Sequence, residues 1–255
     1  MTNHEILKHI DDGANFYLCL FGNAEHMETI DTGYYTFVAP KPSQPGITFV
    51  FDIRLEHLPV ETQREKAAEI RALKMPIWLD LLASDELYKL INGREKVHKQ
   101  TIDDNDEVYM ALLSKEQLPS SKISDDIKIV KVRTAEEFAQ WADLTNRLLN
   151  GGYPDMHPIF HYPLCQKGLM RCYILYKQEK PAAVAAIMDN KGVDSLEFVA
   201  TVPELRRMGL AKTVCTQAIS DAFQNNAQII TVRAINAAAR DLYASLNFKI
   251  YNSYI

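Results

Sequence analysis

The sequence predicts a mixed α/β fold in which sheets are flanked by helices. Two kinds of segment support this prediction. Ile47–Leu55 and Ile127–Val132 alternate in polarity and carry many β-branched residues, which is typical of strands. Val60–Lys74 is rich in strong helix formers, and Thr134 followed by Glu137 makes a capping box at a helix start. Because such segments alternate along the chain, strands and helices are expected to pack in layers.

The bulk composition is that of an ordinary water-soluble protein. The 255 residues are 47% apolar and 24% charged, with a net charge of −5. The mild acidity and the absence of a basic cluster argue against a nucleic-acid partner. No apolar run approaches the roughly 20 residues that span a bilayer, and the polar segment Met1–Asp12 does not resemble a signal peptide. We expect a cytoplasmic protein without a membrane partner.

Metal binding is not expected from the spacing of possible ligands. The cysteines have no paired or metal-ligand spacing, so free thiols in a reducing compartment are predicted for Cys19, Cys165, Cys172 and Cys215. His157 and His161 lie four residues apart, but Pro158 between them argues against a helical metal pair. Asp103–Asp106 lacks the glycine and the spacing of an EF-hand loop and is interpreted as a solvated hairpin turn.

Two domains are predicted, residues 1–120 and residues 126–255. The polar segment Ser114–Asp126, which contains Pro119, suits a connection between them. The first domain is predicted to contain, in order, a strand at Asn15–Phe21, a helical turn at Glu25–Ile30, strands at Tyr34–Ala39 and Ile47–Leu55, a helix at Val60–Lys74, a strand at Pro76–Leu82, a helix from Ser84 to Ile91, and strands at Arg94–Lys99 and Glu107–Leu113.

The second domain begins with the strand Ile127–Val132 and the helix from Thr134 to about Leu149. An irregular loop, Asn150–Gly168, is expected to face the substrate because long loops in compact domains are usually functional or mobile. The later elements are predicted as strands at Leu169–Tyr176 and Ala182–Met188, a strand from Leu196, a helix to Phe223, a strand at Gln228–Arg233, a helix at Ala237–Leu246 and a strand at Phe248–Tyr251.

The segment Leu196–Val214 combines a strand, a basic loop with one glycine, and an immediate helix start. Gly209 lets backbone approach a ligand closely, and the helix from Leu210 leaves its first N–H groups without helical partners. Arg206 and Arg207 add charged donors, so the segment predicts an anion site. It lacks the glycines and lysine of a nucleotide-binding loop, and an ordinary connection with exposed arginines is the alternative.

Two motifs together resemble the GNAT superfamily of acyl-CoA N-acyltransferases. Val199–Ala211 is similar to the family's Arg/Gln-x-x-Gly-x-Gly/Ala loop, and Asn236–Phe248 to its Asn-x-x-Ala-x-x-Leu-Tyr-x-x-x-Gly-Phe segment, with Asn247 in place of the glycine. The resemblance covers about Ile127–Tyr251. It implies a mixed, largely antiparallel sheet flanked by helices, and acetyl-CoA as co-substrate with no metal. The implied reaction is direct attack by a primary amine, of a small molecule or a peptide, in a ternary complex.

The resemblance also implies roles for individual residues. The backbone of Val199 and Thr201 would pair with the pantetheine arm where the fourth and fifth strands of the second domain splay apart, and the N–H near Val199 or Ala200 would serve the oxyanion. Asn236 would contact the pantetheine. The pyrophosphate site would be formed by Arg206, Arg207, Met208, Gly209, Leu210, Ala211 and Lys212.

Two side chains are candidates for proton transfer. The resemblance places Tyr243 near the thioester sulfur, where it suits the acid that protonates the leaving thiolate; a core tyrosine packed on the sheet is the alternative. Glu197 is the candidate base, directly or through water, and a solvent-side carboxylate is the alternative.

The first domain is interpreted as a second, degenerate GNAT-like half. Leu87–Asn92 lines up with Leu242–Asn247, but the loop Glu56–Thr62 has neither glycine nor arginine, so cofactor binding is not expected there. The family usually has one more strand after Phe248–Tyr251, and Glu107–Leu113 is expected to cover that edge and join the halves. A non-catalytic acyl-CoA-binding or scaffold protein remains the alternative function, and a monomer and a homodimer both remain open.

Overall fold

Two β-sheets organise the chain, one of three strands and one of seven. The computed structural model describes residues 1–97, 101–119, 124–149 and 156–252. The helices in these ranges are α1 (Asn3–Gly22), α2 (Val60–Ala72), α3 (Asp85–Asn92), α4 (Ala135–Leu148), α5 (Pro158–Gln166), α6 (Leu210–Gln224) and α7 (Ala237–Ser245). The strands are β1 (Met27–Asp31), β2 (Thr36–Pro40), β3 (Phe49–Phe51), β4 (Val108–Leu112), β5 (Ile127–Lys131), β6 (Met170–Lys177), β7 (Lys180–Met188), β8 (Val193–Thr201), β9 (Ile229–Ala234) and β10 (Lys249–Asn252).

The large sheet has the order β10-β4-β9-β8-β7-β6-β5. Its neighbours are antiparallel, apart from the parallel pair β8 and β9. Helix α6 lies on one face, where Leu210, Val214 and Ala218 are buried against the sheet. Helix α4 lies on the other face and is fixed there by Trp141, whose buried Nε1 donates to the Ala185 carbonyl at 3.2 Å. This mixed sheet with helices on both faces confirms the predicted fold class.

Strand β4 comes from the first part of the chain yet lies inside the large sheet. Val108 pairs with Ala234 of β9, and Met110 pairs with both Val232 of β9 and Ile250 of β10. The prediction that Glu107–Leu113 joins the two halves is therefore confirmed, with one difference. The strand fills the space between β9 and β10, so β10 is the outer strand. The sheet crosses the predicted boundary between residues 1–120 and 126–255, and that division into domains stays a prediction.

Helix α1 packs across the large sheet. It begins with a capping box in which the Glu5 N–H donates to Thr2 Oγ1 at 3.3 Å. A Cβ atom on Gly13 would lie 3.0 Å from Thr231 Oγ1, so the glycine permits close approach to β9. The predicted strand at Asn15–Phe21 is wrong, because these residues continue α1. A short apolar run does not distinguish a strand from the buried face of a helix.

Residues 27–92 contribute a smaller unit. Strands β1, β2 and β3 form an antiparallel sheet, and α2 and α3 pack with Val50 and Leu55 in a separate apolar cluster. Helix α3 matches its prediction: Ser84 caps it and Gly93 ends it at φ +70°. Helix α2 and β2 are also confirmed, whereas the strand predicted at Ile47–Leu55 is limited to β3.

Three other predictions for this part are wrong. Glu25–Ile30, predicted as a helical turn, includes most of β1. Pro76–Leu82 forms a single bridge, Val50 to Ile77, instead of a strand. Residues 94–97 contain no strand, and residues 98–100 lie outside the described residues. The described elements do not follow the strand-helix-strand order on which the predicted repeat depended.

The predicted loop Asn150–Gly168 contains a helix. Residues 150–155 lie outside the described part of the chain, but α5 follows, with Pro158 at its first position. Proline is pre-organised for the first turn of a helix, where its missing N–H costs nothing. Pro158 therefore starts α5. None of the described helices is long and apolar enough to cross a membrane.

Candidate active site

The candidate site lies where β8 and β9 separate. Val193–Ser195 pair with Ile229–Thr231, and from Leu196 onwards no pair joins the two strands. On its other side β8 stays paired with β7, but the register shifts between Glu197 and Ala200. The two strands therefore leave a gap toward their carboxyl ends, as the resemblance implied for the pantetheine arm.

A bulge in β8 changes which face of the sheet its later side chains lie on. Phe198 has a positive φ of +53° inside the shifted register. Leu196 is buried on the α6 face, whereas Phe198 packs on Trp141 of α4 with ring centroids 5.6 Å apart. Residues two apart in a regular strand share a face, so the bulge redirects the chain. Glu197 precedes this bulge. It is next to Leu196 in the regular part of the strand, so it faces the opposite side of the sheet and lines the cavity beneath α1.

On the α6 side the gap opens into a cleft of about 770 Å³. Of the predicted cofactor residues, its lining includes Val199, Ala200, Thr201, Arg206, Arg207, Gly209, Leu210, Ala211, Lys212, Asn236 and Tyr243. Met208 does not line the cleft, and its side chain is 53% exposed. Leu148 and Leu149, at the end of α4, also line it and had not been predicted. The fold thus brings both sequence motifs to one cleft.

The loop before α6 presents backbone donors and positive charge to this cleft. Arg207 and Gly209 have φ values of +63° and +78°, and a Cβ atom on Gly209 would meet open space. No side chain among the described residues caps α6, whose first helical bond runs from the Thr213 N–H to the Gly209 carbonyl at 3.0 Å. The preceding N–H groups of the first turn are therefore available to an anion.

Asn236, the cap of α7, and Tyr243, within α7, differ in their hydrogen bonds and packing. Asn236 caps α7, its Oδ1 accepting from the Ala239 N–H at 2.9 Å. Its amide nitrogen is the part of that side chain left to face a ligand. Tyr243 is 6% exposed and lines the cleft while packing on Phe248, with ring centroids 5.9 Å apart. It is a core tyrosine that also reaches the cleft, so the two interpretations of Tyr243 do not exclude each other.

Glu197 lies in a second cavity, of about 250 Å³, on the α1 side of the gap. It is 8% exposed, so the alternative of a solvent-side carboxylate is wrong. Burial raises its pKa to about 7; the Arg233 guanidinium and the Ser195 hydroxyl oppose this shift, and the Glu107 carboxylate adds to it. A carboxyl group with a pKa near neutrality is suited to accept a proton at physiological pH.

Three residues that the sequence analysis did not single out complete this cavity. Arg233 Nη1 lies 3.3 Å from Glu107 Oε1, and its guanidinium carbon lies 5.2 Å from the centroid of the Trp78 ring. Burial alone would lower the pKa of Arg233, but Glu197 and Glu107 raise it above its usual value. Trp78 lies in a segment predicted as a strand, and nothing in the sequence pairs it with Arg233.

Glu197 and Tyr243 lie in different cavities that adjoin the same gap. The cavity around Glu197 is lined by β8 up to Glu197 and by β9, while the cleft begins at Val199 and includes Tyr243. Two molecules bound in these spaces would approach each other at the gap from opposite sides. The candidate base would then face one of them and the candidate acid the other.

His157, directly before α5, and His161 within it line a separate cavity. His161 Nδ1 accepts from the His157 N–H at 2.9 Å. Burial, followed by the nearby His26, lowers the pKa of His161 to about 4, so its ring is neutral at physiological pH. Among the residues that the structure describes, no three His, Cys, Asp or Glu side chains gather as a metal-binding group.

Comparison with known proteins finds a family match in the second part of the chain. Residues 136–248 match the model of the Acetyltransferase (GNAT) family. The fold is similar to that of a GCN5-related N-acetyltransferase from Kribbella flavida, at 16% identity and a TM-score of 0.65, covering 95% of this chain and 93% of that one. A second such enzyme, from Sphaerobacter thermophilus, gives 10% identity, a TM-score of 0.57 and coverages of 88% and 80%.

A third similar structure has nearly the same extent as this chain. It is a GCN5-related N-acetyltransferase-like protein from Streptococcus suis, with 12% identity, a TM-score of 0.52 and coverages of 99% and 96%. These TM-scores and coverages show a shared fold that includes the first part of the chain. No curated protein sequence matches the chain.

Proposed function

We propose that this chain, whose residues 136–248 match the Acetyltransferase (GNAT) family model, moves an acetyl group from acetyl-CoA to a primary amine. The observation that carries the proposal is the pair of cavities at the gap between β8 and β9. One of them is lined by Arg206, Arg207 and Tyr243, and the other contains Glu197. The two cavities suit two substrates that are bound together.

The cleft fits acetyl-CoA in size and charge. Its volume of about 770 Å³ falls within the range of small-molecule sites. The first turn of α6 holds no acidic residue and no capping side chain, and Arg206, Arg207 and Lys212 line the same end of the cleft. A diphosphate is favoured by unpaired N–H groups at a helix start together with neighbouring cations. The pantetheine arm would pair with the backbone of Val199 and Thr201.

The proposed chemistry divides proton transfer between the two sides of the gap. Glu197, directly or through water, takes a proton from the ammonium group, and the amine nitrogen attacks the thioester carbonyl. The backbone N–H near Val199 or Ala200 stabilises the oxyanion. The carbon–sulfur bond then breaks, Tyr243 protonates the thiolate, and the second proton lost by the amine nitrogen restores the Tyr243 hydroxyl group through solvent. The products are an amide, free coenzyme A and one proton released to solvent.

Direct transfer, without an acyl-enzyme, agrees with the state of the cysteines. Burial raises the thiol pKa values of Cys19, Cys172 and Cys215 above the usual range. These thiols are protonated at neutral pH, and a protonated thiol is a poor nucleophile. Attack by the amine in a ternary complex needs no such group.

The wider setting of the reaction is proposed from the composition of the chain. A net charge of −5 favours a small or peptide amine over nucleic acid as the partner. The reaction is placed in the cytoplasm, without a membrane partner or a metal ion, and the chain acts as a monomer or a homodimer.

The rival function is a non-catalytic acyl-CoA-binding or scaffold protein. The setting of Glu197 favours an enzyme, because a carboxyl group with a pKa of about 7 in a cavity costs stability and suits proton transfer. Both functions predict that acetyl-CoA binds and raises the melting temperature. The enzyme alone predicts release of free thiol that depends on an added amine.

Replacing the candidate base separates the two functions. Glu197→Gln is expected to lower amine-dependent thiol release by about 10²- to 10⁴-fold and to leave acetyl-CoA affinity unchanged. Glu179→Gln, in the exposed turn between β6 and β7, is the matched control and is expected to change neither quantity. An unchanged rate in Glu197→Gln would remove the assigned base. Failure of acetyl-CoA to bind would contradict both functions.

A further inference from the structure

The cavity around Glu197 has walls of a particular chemical character. We infer that the acceptor is a small primary amine with an apolar body and no carboxylate, held between α1, Trp78 and β9 with its nitrogen at Glu197. This inference rests on the proposed acetyl transfer and names the class of its second substrate.

The walls of the cavity are largely apolar. Tyr17 and Leu18 of α1 are 7% and 5% exposed, and Phe49 and Trp78 also line the cavity. A volume of about 250 Å³ is below the range that holds drug-sized ligands, so the cavity can enclose one small molecule but not a whole peptide. Burial of an apolar body against such walls contributes about 25 cal/mol for each Å² removed from water.

The charged residues of the cavity favour an ammonium group at the end of the acceptor opposite its apolar body. The charged residues in its lining are Glu107, Glu197 and Arg233. Arg233 is already held by Glu107, with 3.3 Å between Nη1 and Oε1, and it lies over Trp78. With both carboxylates ionised, these three residues together carry one net negative charge, which a single ammonium group neutralises. A hydrocarbon acyl tail in this space would leave that charge uncompensated.

The same charges exclude other common amines. An amino acid would bring a third carboxylate to a single guanidinium, and like charges in a buried site are costly. A diamine would bring two ammonium groups to a lining whose net charge is one negative, so one ammonium group would stay uncompensated in a buried site. The class that remains is a monoamine with an aryl or alkyl body.

Many of the residues that line the cavity come from the first part of the chain, which gives that part a function. Helix α1, Phe49 of β3 and Trp78 all precede residue 97, and Glu107 directly precedes β4. Residues 136–248, which match the family model, supply the cofactor cleft and Glu197. The first part of the chain therefore determines which amine is accepted, while the second part carries the transfer.

The test uses the full chain with acetyl-CoA and a matched set of amines. 2-Phenylethylamine is compared with phenylalanine, which adds a carboxylate, and hexylamine with 1,6-diaminohexane, which adds an ammonium group. The kcat/KM values, from thiol release, are expected to favour the first member of each pair by at least about tenfold. Equal or reversed preference within the pairs would overturn the inference, as would a peptide amine that outperforms both monoamines.

A variant ties the preference to this cavity. Because Phe49→Ala enlarges the space, it is expected to shift the kcat/KM ratio by about tenfold away from phenylethylamine and toward the bulkier naphthylethylamine. Phe37→Ala, a partly buried phenylalanine of the same small sheet that does not line the cavity, is the matched control. A ratio between two substrates is insensitive to the amount of folded protein. An unchanged ratio in Phe49→Ala would overturn the inference.

Calorimetry separates failure of the inference from failure of the proposed function. Phenylethylamine is titrated into the chain saturated with coenzyme A, and binding that Phe49→Ala weakens supports the cavity even without turnover. Binding of the amine without thiol release would contradict acetyl transfer alone. Thiol release with diamines, amino acids or peptides but not with monoamines would contradict the acceptor class alone. Two further results would overturn the inference: monoamines that neither bind nor react, and a preference for hexanoyl-CoA over acetyl-CoA.

Discussion

Arg233 and Glu107 form an ion pair, with Nη1 of Arg233 3.3 Å from Oε1 of Glu107, at the wall of the cavity that contains Glu197. Arg233 belongs to β9, and Glu107 directly precedes β4. The guanidinium opposes the rise in the pKa of Glu197 that burial causes, and the Glu107 carboxylate adds to that rise. One residue from each part of the chain therefore adjusts the proton affinity of the candidate base.

This pair predicts two opposite shifts in a pH profile. Because burial raises the pKa of Glu197 to about 7, kcat/KM is expected to rise with pH through about 7 as the carboxylate forms. Arg233→Gln removes a cation that favours the Glu197 carboxylate, so the rise in kcat/KM is expected to move to higher pH. Glu107→Gln removes a negative charge that disfavours the Glu197 carboxylate, so the rise in kcat/KM is expected to move to lower pH. The measurement is kcat/KM against pH at saturating acetyl-CoA; shifts in the same direction would contradict the arrangement.

Tyr243 predicts a loss of turnover without a loss of binding. Tyr243→Phe keeps the ring that packs on Phe248 and removes the hydroxyl group assigned to protonate the thiolate. We expect kcat to fall by about 10²-fold or more, with the Kd for acetyl-CoA from calorimetry unchanged. Tyr88→Phe, on α3 and outside the cleft lining, is the control. Unchanged turnover would remove the acid role from Tyr243.

The basic loop predicts the strength and salt dependence of cofactor binding. In the double variant Arg206→Gln/Arg207→Gln, the Kd for acetyl-CoA is expected to rise by at least about tenfold, because charge-assisted bonds to phosphate are lost. Added salt should weaken binding by the unmodified chain more than by the double variant. Arg64→Gln, exposed on α2, serves as the control. A double variant that binds as tightly as the original would place the diphosphate elsewhere.

Strand β4 predicts that the chain unfolds as one unit. Met110 is 1% exposed between β9 and β10, so Met110→Ala is expected to cost about 2–5 kcal/mol. Met208→Ala, at a residue 53% exposed, should change stability by less than about 0.5 kcal/mol. Calorimetry should give a single transition that moves to lower temperature in Met110→Ala. Two transitions, of which only one moves, would contradict the shared sheet.

The second part of the chain was largely predictable because its signals are local. The capping box at Thr134 and Glu137 starts α4, and Gly209 sits at a positive φ directly before α6. Of the residues that the motifs at Val199–Ala211 and Asn236–Phe248 assigned to cofactor binding, all but Met208 line one cleft. Each of these signals depends on residues close together in sequence, and the structure retains them.

The first part was less predictable because its structure depends on contacts distant in sequence. Asn15–Phe21 has the composition of a strand, yet it is helical because α1 buries it against the large sheet. The partners of Trp78 and Glu107 follow from the insertion of β4 beside β9, and no local pattern encodes that pairing. For the same reason the cavity around Glu197 could not be predicted, although Glu197 itself was.

The most direct test of the account is amine-dependent release of free thiol from acetyl-CoA by the purified full chain. We predict thiol release that requires phenylethylamine, yields the N-acetylated amine by mass spectrometry in equal amount, and falls by about 10²- to 10⁴-fold in Glu197→Gln. If the folded chain binds acetyl-CoA but no amine increases thiol release, the cleft is a binding site only. That result would contradict acetyl transfer at the gap between β8 and β9.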